Sequence, residues 1–267
     1  MKECRFCQGT DLKVWTGNYY RCNDCLYICT VPTPTPDEID AHYAHYHENN
    51  HQASEVKNKA RAVSYKQEVD WLKAQISSPL AGPVFDYGAS GGYFLDALVG
   101  DGGISKEQAY GDDLSIGAIE TLASKGYHLK IDKVAKNSMK LVVLRGVLEH
   151  VVDFRQLLNS LTELVSEDGY FFITATPDSS ATVANMYRDK WVQHHYPSHF
   201  QHFSSSLVDT LFAELNFVLE DHVDLYKHSI YRGDTDDEHW LSTVQKGEPG
   251  KKHAYWGSMM TRLYRRA

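Results

Sequence analysis

Val84-Phe85-Asp86-Tyr87-Gly88-Ala89-Ser90-Gly91-Gly92-Tyr93-Phe94-Leu95 is the stretch whose reading decides the fold. Residues 84–87 read as a short buried strand and 88–92 as a glycine-rich turn. Phe94, Leu95, Leu98 and Val99 then recur at helical spacing. Glycine lets backbone N–H groups come close to a ligand, and the helix N-terminus behind the turn favours a negative group. The spacing Asp86-x-Gly88-x-x-x-Gly92 departs from the dinucleotide fingerprint, and no lysine follows to grip a phosphate, so a P-loop is excluded. Gly111-Asp112-Asp113-Leu114-Ser115 puts acidic residues about 20 positions after the turn, where a ribose-binding carboxylate ends the second strand of such sheets.

Working outward, strands and helices alternate, which predicts a mostly parallel sheet. Upstream, Val56, Ala60, Val63, Val69, Leu72 and Ile76 make an amphipathic helix over 54–76 that packs on the sheet. Downstream, Ser115 caps a helix carrying Ile116, Ile119 and Ala123 and closed by Lys125-Gly126. Residues 127–131 alternate as strand three, and 140–145 form a buried strand four. Phe154, Leu157, Leu158, Leu161, Leu164 and Val165 make the clearest helical stripe, ended by Gly169. Strand five is 170–175, another helix runs from 204 to 215, and 217–225 with 259–265 form a final antiparallel pair. The polar, acidic connection 232–256 has no legible role.

The run from Val84 to Phe217 resembles the class I S-adenosylmethionine-dependent methyltransferases. Asp86 to Gly92 is similar to their first motif, with Ser90 in place of its middle glycine. Gly111-Asp-Asp-Leu-Ser115 matches the strand-two acidic motif. Leu141-Val-Val-Leu-Arg-Gly-Val-Leu-Glu-His-Val151 and Glu167-Asp-Gly-Tyr-Phe-Phe-Ile-Thr-Ala-Thr-Pro177 match those of strands four and five. The resemblance implies a Rossmann-like, doubly wound α/β sheet of seven strands that binds S-adenosylmethionine. It implies that Asp86 orients the turn or meets the methionine end, with Gly88, Ser90 and Gly92 shaping the turn. Asp113 would take the ribose hydroxyls, Leu114 beside it, and Asp132 would lie near the adenine. Arg145, Glu149 and His150 lie just past strand four, where the methyl donor ends. The plainer reading of Glu149 and His150 is a pair that caps and packs a helix start. Trp191-Val-Gln-His-His-Tyr-Pro-Ser-His-Phe-Gln-His-Phe-Ser204 resembles the segment that closes over the acceptor in small-molecule members, with Pro197, His199 and Phe203 matching. His150 is the expected base, with Glu149 beside it and His199 as the rival from the acceptor side.

At the front, Cys4-Arg-Phe-Cys7 and Cys22-Asn-Asp-Cys25 are separated by 14 residues. Two CxxC knuckles at this spacing predict a Cys4 site for a structural zinc, each tight turn giving two thiolates. The hairpin between them is too short to bury its own core, so metal binding would supply much of its folding energy. Cys29 is the spare, a small buried hydrophobe. Thr30-Val-Pro-Thr-Pro-Thr-Pro36 is a stiff extended connector. Residues 37–47, rich in Tyr and His, read as a lid or substrate-facing helix; a metal cluster of His42, His45, His47 and His51 is the weaker reading. The expected organisation is a zinc ribbon at 1–30, a connector, lid and leading helix at 31–80, and the catalytic domain at 81–267.

Composition bounds the function. Across 267 residues, 42% hydrophobic content is ample for a core, and a formal net charge of −8 argues against broad electrostatic binding of nucleic acid. There is no apolar run long enough to span a bilayer and no signal-peptide core, so a cytoplasmic protein is expected. With the cysteine ribbon in front, the chain most resembles methyltransferases of sugar-nucleotide and surface-polysaccharide pathways, including zinc-containing sugar C-methyltransferases. It is without the long C-terminal domain of the latter, so oxygen and nitrogen acceptors stay open beside carbon. The expected partner is a sugar-linked small molecule. The alternatives are an RNA or protein methyltransferase that docks its substrate on the ribbon, and a cofactor-binding module without catalysis. Nothing in the sequence fixes the oligomeric state.

Overall fold

The structure, a computed structural model, describes residues 3–44, 55–76, 80, 82–129, 134–223 and 258–267. The hairpin β1 (Leu12–Thr16) and β2 (Tyr19–Cys22) is followed by β3 (Ile28–Thr30). Helix α1 (Pro36–Tyr43) opens on a capping box, in which Thr35 accepts from the Glu38 N–H and Glu38 reaches back to the Thr35 N–H. Helix α2 (Glu55–Gln75) leads into β4 (Val84–Tyr87), α3 (Tyr93–Gly100), β5 (Ala109–Asp112), α4 (Ile116–Ser124) and β6 (His128–Leu129). Next come β7 (Met139–Arg145), α5 (Phe154–Thr162), β8 (Val165–Pro177), α6 (Thr182–Tyr187) and β9 (Gln201–His202). Helix α7 (Ser205–Glu214) and strands β10 (Phe217–Val223) and β11 (Met259–Arg266) complete the chain. No helix among the described residues is long and apolar enough to cross a membrane.

Seven strands make one sheet in the order β10-β11-β8-β7-β4-β5-β6. Strands β6, β5, β4, β7 and β8 pair in parallel, and β11 runs antiparallel to both β8 and β10. This is the Rossmann-like sheet expected from the sequence. Strand β7 shows why it is covered on both faces. Leu141 and Val143 join one core with Leu72 of α2 and Leu95 of α3, while Val142 and Leu144 join another with Leu158 of α5 and Leu211 of α7. Side chains alternate across a strand, so a continuous apolar run buries both ways.

The structure differs from the sequence reading at several points. Helix α5 stops at Thr162 and Val165 already belongs to β8, because the apolar stripe runs on from helix into strand without a break in hydrophobicity. Ser115 stands at the N-cap position of α4 but its side chain makes no capping bond; Asp113 accepts the Ser115 N–H instead. Val63 is exposed, and the buried face of α2 uses Tyr65 and Glu68 in its place. Strand three is described only as His128–Leu129. Asp132, His45, His47, His51 and the connection 232–256 lie outside the described residues.

The largest difference is at the N-terminus. Strands β1, β2 and β3 form a four-stranded sheet with β9, Ile28 opposite His202 and Cys29 opposite Gln201. Cys4, Phe6, Cys22, Tyr27 and Cys29 share one core with Phe85, Phe154 and Phe203. Phe6 stacks on Phe154 at 6.2 Å between centroids, and Arg155 donates to Phe6 O at 3.1 Å. The segment too short for a core of its own thus buries its apolar residues against the larger sheet.

Candidate active site

A cavity of about 700 Å³ opens at the carboxyl ends of β4, β5 and β7, where ligands sit in sheets of this kind. Its floor is the glycine-rich turn. Gly88 and Gly92 have φ of +76° and +74°, and a Cβ at either would come within 2.8 Å of Val147 or Leu122. Ser90 holds φ +50°, a left-handed conformation that explains why a glycine is usual there. Four of the turn's N–H groups are used internally: Gly88 and Ala89 donate to Asp112 O, Gly92 to Ala89 O, and Ser90 to Asp113 Oδ2 at 2.8 Å.

Two carboxylates frame this end. Asp113 accepts from Ser90 and Ser115, both at 2.8 Å, so it clamps the turn to the loop after β5. Leu114 lines the cavity and is 73% exposed. Asp86 is buried, and its Oδ1 has no hydrogen-bond partner. Burial pushes the Asp86 carboxyl up to about 8; the Arg145 charge opposes the rise, while Asp113 and Glu68 add to it. Arg145 lines the cavity but is held from behind, with Nε and Nη2 donating to the two oxygens of buried Glu68 at 2.9 and 3.1 Å. Its guanidinium also lies 4.5 Å from the Tyr65 ring centre. That bidentate pair ties α2 to the end of β7.

The other end gathers Glu149, His150 and His199. A 3-10 turn at Leu148–His150 follows β7 and aims Glu149 and His150 into the cavity. The rings of His150 and His199 meet edge-to-face at 4.6 Å. His150 Nδ1 is 2.9 Å from Tyr43 OH of α1, and its Nε2 is 3.9 Å from Glu149 Oε1. His199 Nδ1 donates to Gln193 O at 3.0 Å. Burial holds His150 down at about 4 and His199 well below its ordinary value, and it pushes Glu149 up to about 8. All three are therefore neutral over most of the range around pH 7.

Both histidines are positioned from far away. Buried Gln201 donates to Leu148 O and Val151 O, each at 2.6 Å, so it brackets the turn that carries His150. Its Oε1 accepts from Tyr27 OH, and Tyr19 OH donates to His199 O at 2.7 Å. The cysteine segment thus reaches both imidazoles. Tyr196 OH donates to Glu38 Oε1 at 3.1 Å and ties α1 to the segment before β9. Tyr43, Gln193 and Gln201 were not singled out from sequence. Tyr43 was legible only as one ring in a Tyr/His-rich stretch, and the glutamines carried no signal.

Cys4, Cys7, Cys22 and Cys25 place their four Sγ atoms within 4.8 Å of one another, with Cys4–Cys25 at 3.6 Å and Cys7–Cys22 at 3.7 Å. Thiolates around a tetrahedral zinc at ~2.3 Å are roughly 3.8 Å apart, close to these two separations, so the four cysteines could hold that ion. The Phe6 N–H points at Cys4 Sγ, and no cysteine is in a disulfide.

A family model described as a methyltransferase domain matches residues 57–222. Among solved structures, the complex between the Haloferax volcanii Trm112 methyltransferase activator and a methyltransferase matches at 14% identity and TM-score 0.59, over 87% of this chain and 99% of that one. A Thermotoga maritima S-adenosylmethionine-dependent methyltransferase matches at 13% identity and TM-score 0.55, over 85% of this chain and 99% of that one. Burkholderia thailandensis 1,6-didemethyltoxoflavin-N1-methyltransferase, solved with 1,6-didemethyltoxoflavin and S-adenosylhomocysteine bound, matches at 13% identity and TM-score 0.55, over 96% and 99%. At such identities the likeness is one of fold. No curated protein sequence matches the chain.

Proposed function

The chain belongs to the methyltransferase-domain family, and we propose that it moves the methyl of S-adenosylmethionine to a hydroxyl of a sugar-linked small molecule. The observation that carries this reading is one cavity with two unlike ends, acidic at the glycine turn and imidazole-rich beyond it. The residues present suit the cofactor. Asp113 would hold the ribose hydroxyls and buried Asp86, with its unpaired Oδ1, the cationic methionine end. Leu114 offers apolar cover for a flat ring. The bound cofactor would supply an electrophilic methyl on a good leaving group, so the protein's task is in-line placement and removal of the hydroxyl proton. His150 is the favoured proton acceptor, since burial keeps it neutral and Tyr43 fixes its ring. Glu149 would support it, and His199 would face the acceptor. A sugar-linked acceptor is supported by the sequence of residues 191–204 and by the polar side chains at that end, among them His195, Tyr196 and Ser198. A methyl-transfer screen across nucleotide sugars tests the proposal. Turnover of RNA or protein substrates, with none on any sugar-linked compound, overturns it.

Cofactor binding should release protons. The free protein keeps Asp86 protonated up to about pH 8, and a cationic ligand favours its carboxylate. At pH 7 binding should release about one proton per chain, and affinity should rise with pH until about 8. Calorimetry in buffers of different ionisation heat measures this; a heat independent of buffer would refute it, and Asp86→Asn should abolish the release.

The four cysteines are proposed to hold one structural zinc. Because β3 pairs with β9, losing the ion should be felt at the acceptor segment as well as at the N-terminus. Purified protein should carry about one zinc per chain. Cys22→Ser should speed amide exchange at 28–30 and 201–202 while β7 stays protected. Elemental analysis finding no zinc in protein purified without chelator would contradict it.

A further inference from the structure

Glu149, His150 and His199 each bring one ligand atom, a carboxylate oxygen or an imidazole nitrogen, to within 4.8 Å of the others, and all three line the cavity. Each ring is oriented by a partner on its far side. The His199 hydrogen sits on Nδ1, where it meets Gln193 O, so Nε2 keeps its lone pair. His150 engages Tyr43 OH through Nδ1 and turns Nε2 toward Glu149. Metal-bound imidazoles are held in this way, by a carbonyl or hydroxyl on the second nitrogen. Glu149 is 2% exposed and its Oε2 has no hydrogen-bond partner. Its only basic neighbour within salt-bridge reach among the described residues is His150, a neutral imidazole near pH 7. A buried carboxyl without a partner ionises readily only beside a counter-charge, which a cation would supply.

We propose that Glu149, His150 and His199 form a site for a divalent transition-metal ion that holds an acceptor bearing adjacent oxygen donors, such as a vicinal diol; this rests on the methyl-transfer reading above. Two imidazoles and one carboxylate suit manganese, iron, cobalt or zinc and leave coordination positions open toward the cavity. Ligands around such an ion at ~2.1 Å are roughly 3.0–3.4 Å apart, so atoms that lie within 4.8 Å of one another must close by about 1–2 Å on binding. A hydroxyl held by the ion loses its proton more readily, the task otherwise given to His150. The cation also selects the substrate class, since an acceptor with one isolated oxygen cannot chelate it.

The probe is Mn²⁺, because the thiolate set favours softer ions. Titrated into the full-length protein with its cysteine site zinc-loaded, Mn²⁺ should lose its free-ion paramagnetic resonance signal at one equivalent per chain. Glu149→Gln and His199→Ala should each weaken uptake at least about tenfold, and Tyr43→Phe by about the same through the His150 ring. Thermal unfolding and S-adenosylmethionine calorimetry on each variant report whether the fold and the cofactor end are intact. No uptake of Mn²⁺ or Co²⁺ by the parent protein overturns the proposal, as does uptake of unchanged affinity in variants that remain folded. S-adenosylmethionine binding without Mn²⁺ binding removes this site alone and leaves the methyl-transfer reading standing.

Discussion

Replacing Asp113 with alanine should weaken S-adenosylmethionine binding by roughly 2–4 kcal/mol, the worth of two charge-assisted hydrogen bonds to a ribose. The structure adds a second reason for a large effect. Asp113 accepts the Ser90 and Ser115 N–H groups, so it also holds the glycine turn against the loop after β5. Without the carboxylate, Ser90 loses the contact that supports its left-handed backbone, and the turn must be ordered at the expense of binding energy. Asp113→Asn keeps the shape but has only one acceptor oxygen, so it should fall between parent and alanine. Calorimetry gives the affinities and thermal unfolding gives the cost to the free protein. Unchanged affinity in Asp113→Ala would remove the cofactor reading of this end of the cavity.

His150→Ala should lower kcat by on the order of 10²–10⁴ while S-adenosylmethionine affinity stays near that of the parent. The separation follows from the layout, because the side chain sits at the end of the cavity away from Asp113 and contacts Tyr43, Glu149 and His199. Single-turnover kinetics with the acceptor found by screening would measure it. His199→Ala is the companion variant. If it is inactive while His150→Ala turns over at the parental rate, the proton-handling role belongs to His199. If neither change matters, the reaction proceeds by placement alone.

The sheet and the glycine turn were legible because their signals are local. Strand β4 was bounded at 84–87 by an apolar run meeting Gly88, and β7 was read to within one residue from its unbroken apolar stretch. The order of motifs then implied a doubly wound parallel sheet, while the order of its strands came only with the structure. The cysteine knuckles were legible for the same reason, each pair lying within one tight turn.

What the sequence by itself determined, then, is the sheet, the glycine turn at the cavity, the four-cysteine cluster and the candidate imidazoles. The tertiary structure decided how these parts meet. The two-residue strand β9 is too short to show a period, and its pairing with β3 joins the cysteine segment to the chain that carries His199. The Gln201 bonds to Tyr27 and Leu148, the Glu68 pair with Arg145 and the Tyr43 contact with His150 join residues 174, 53, 77 and 107 positions apart. Periodicity, capping and turn chemistry act over about ten residues. A polar contact between distant segments leaves no mark in either, because its partner is chosen only when the chain has folded.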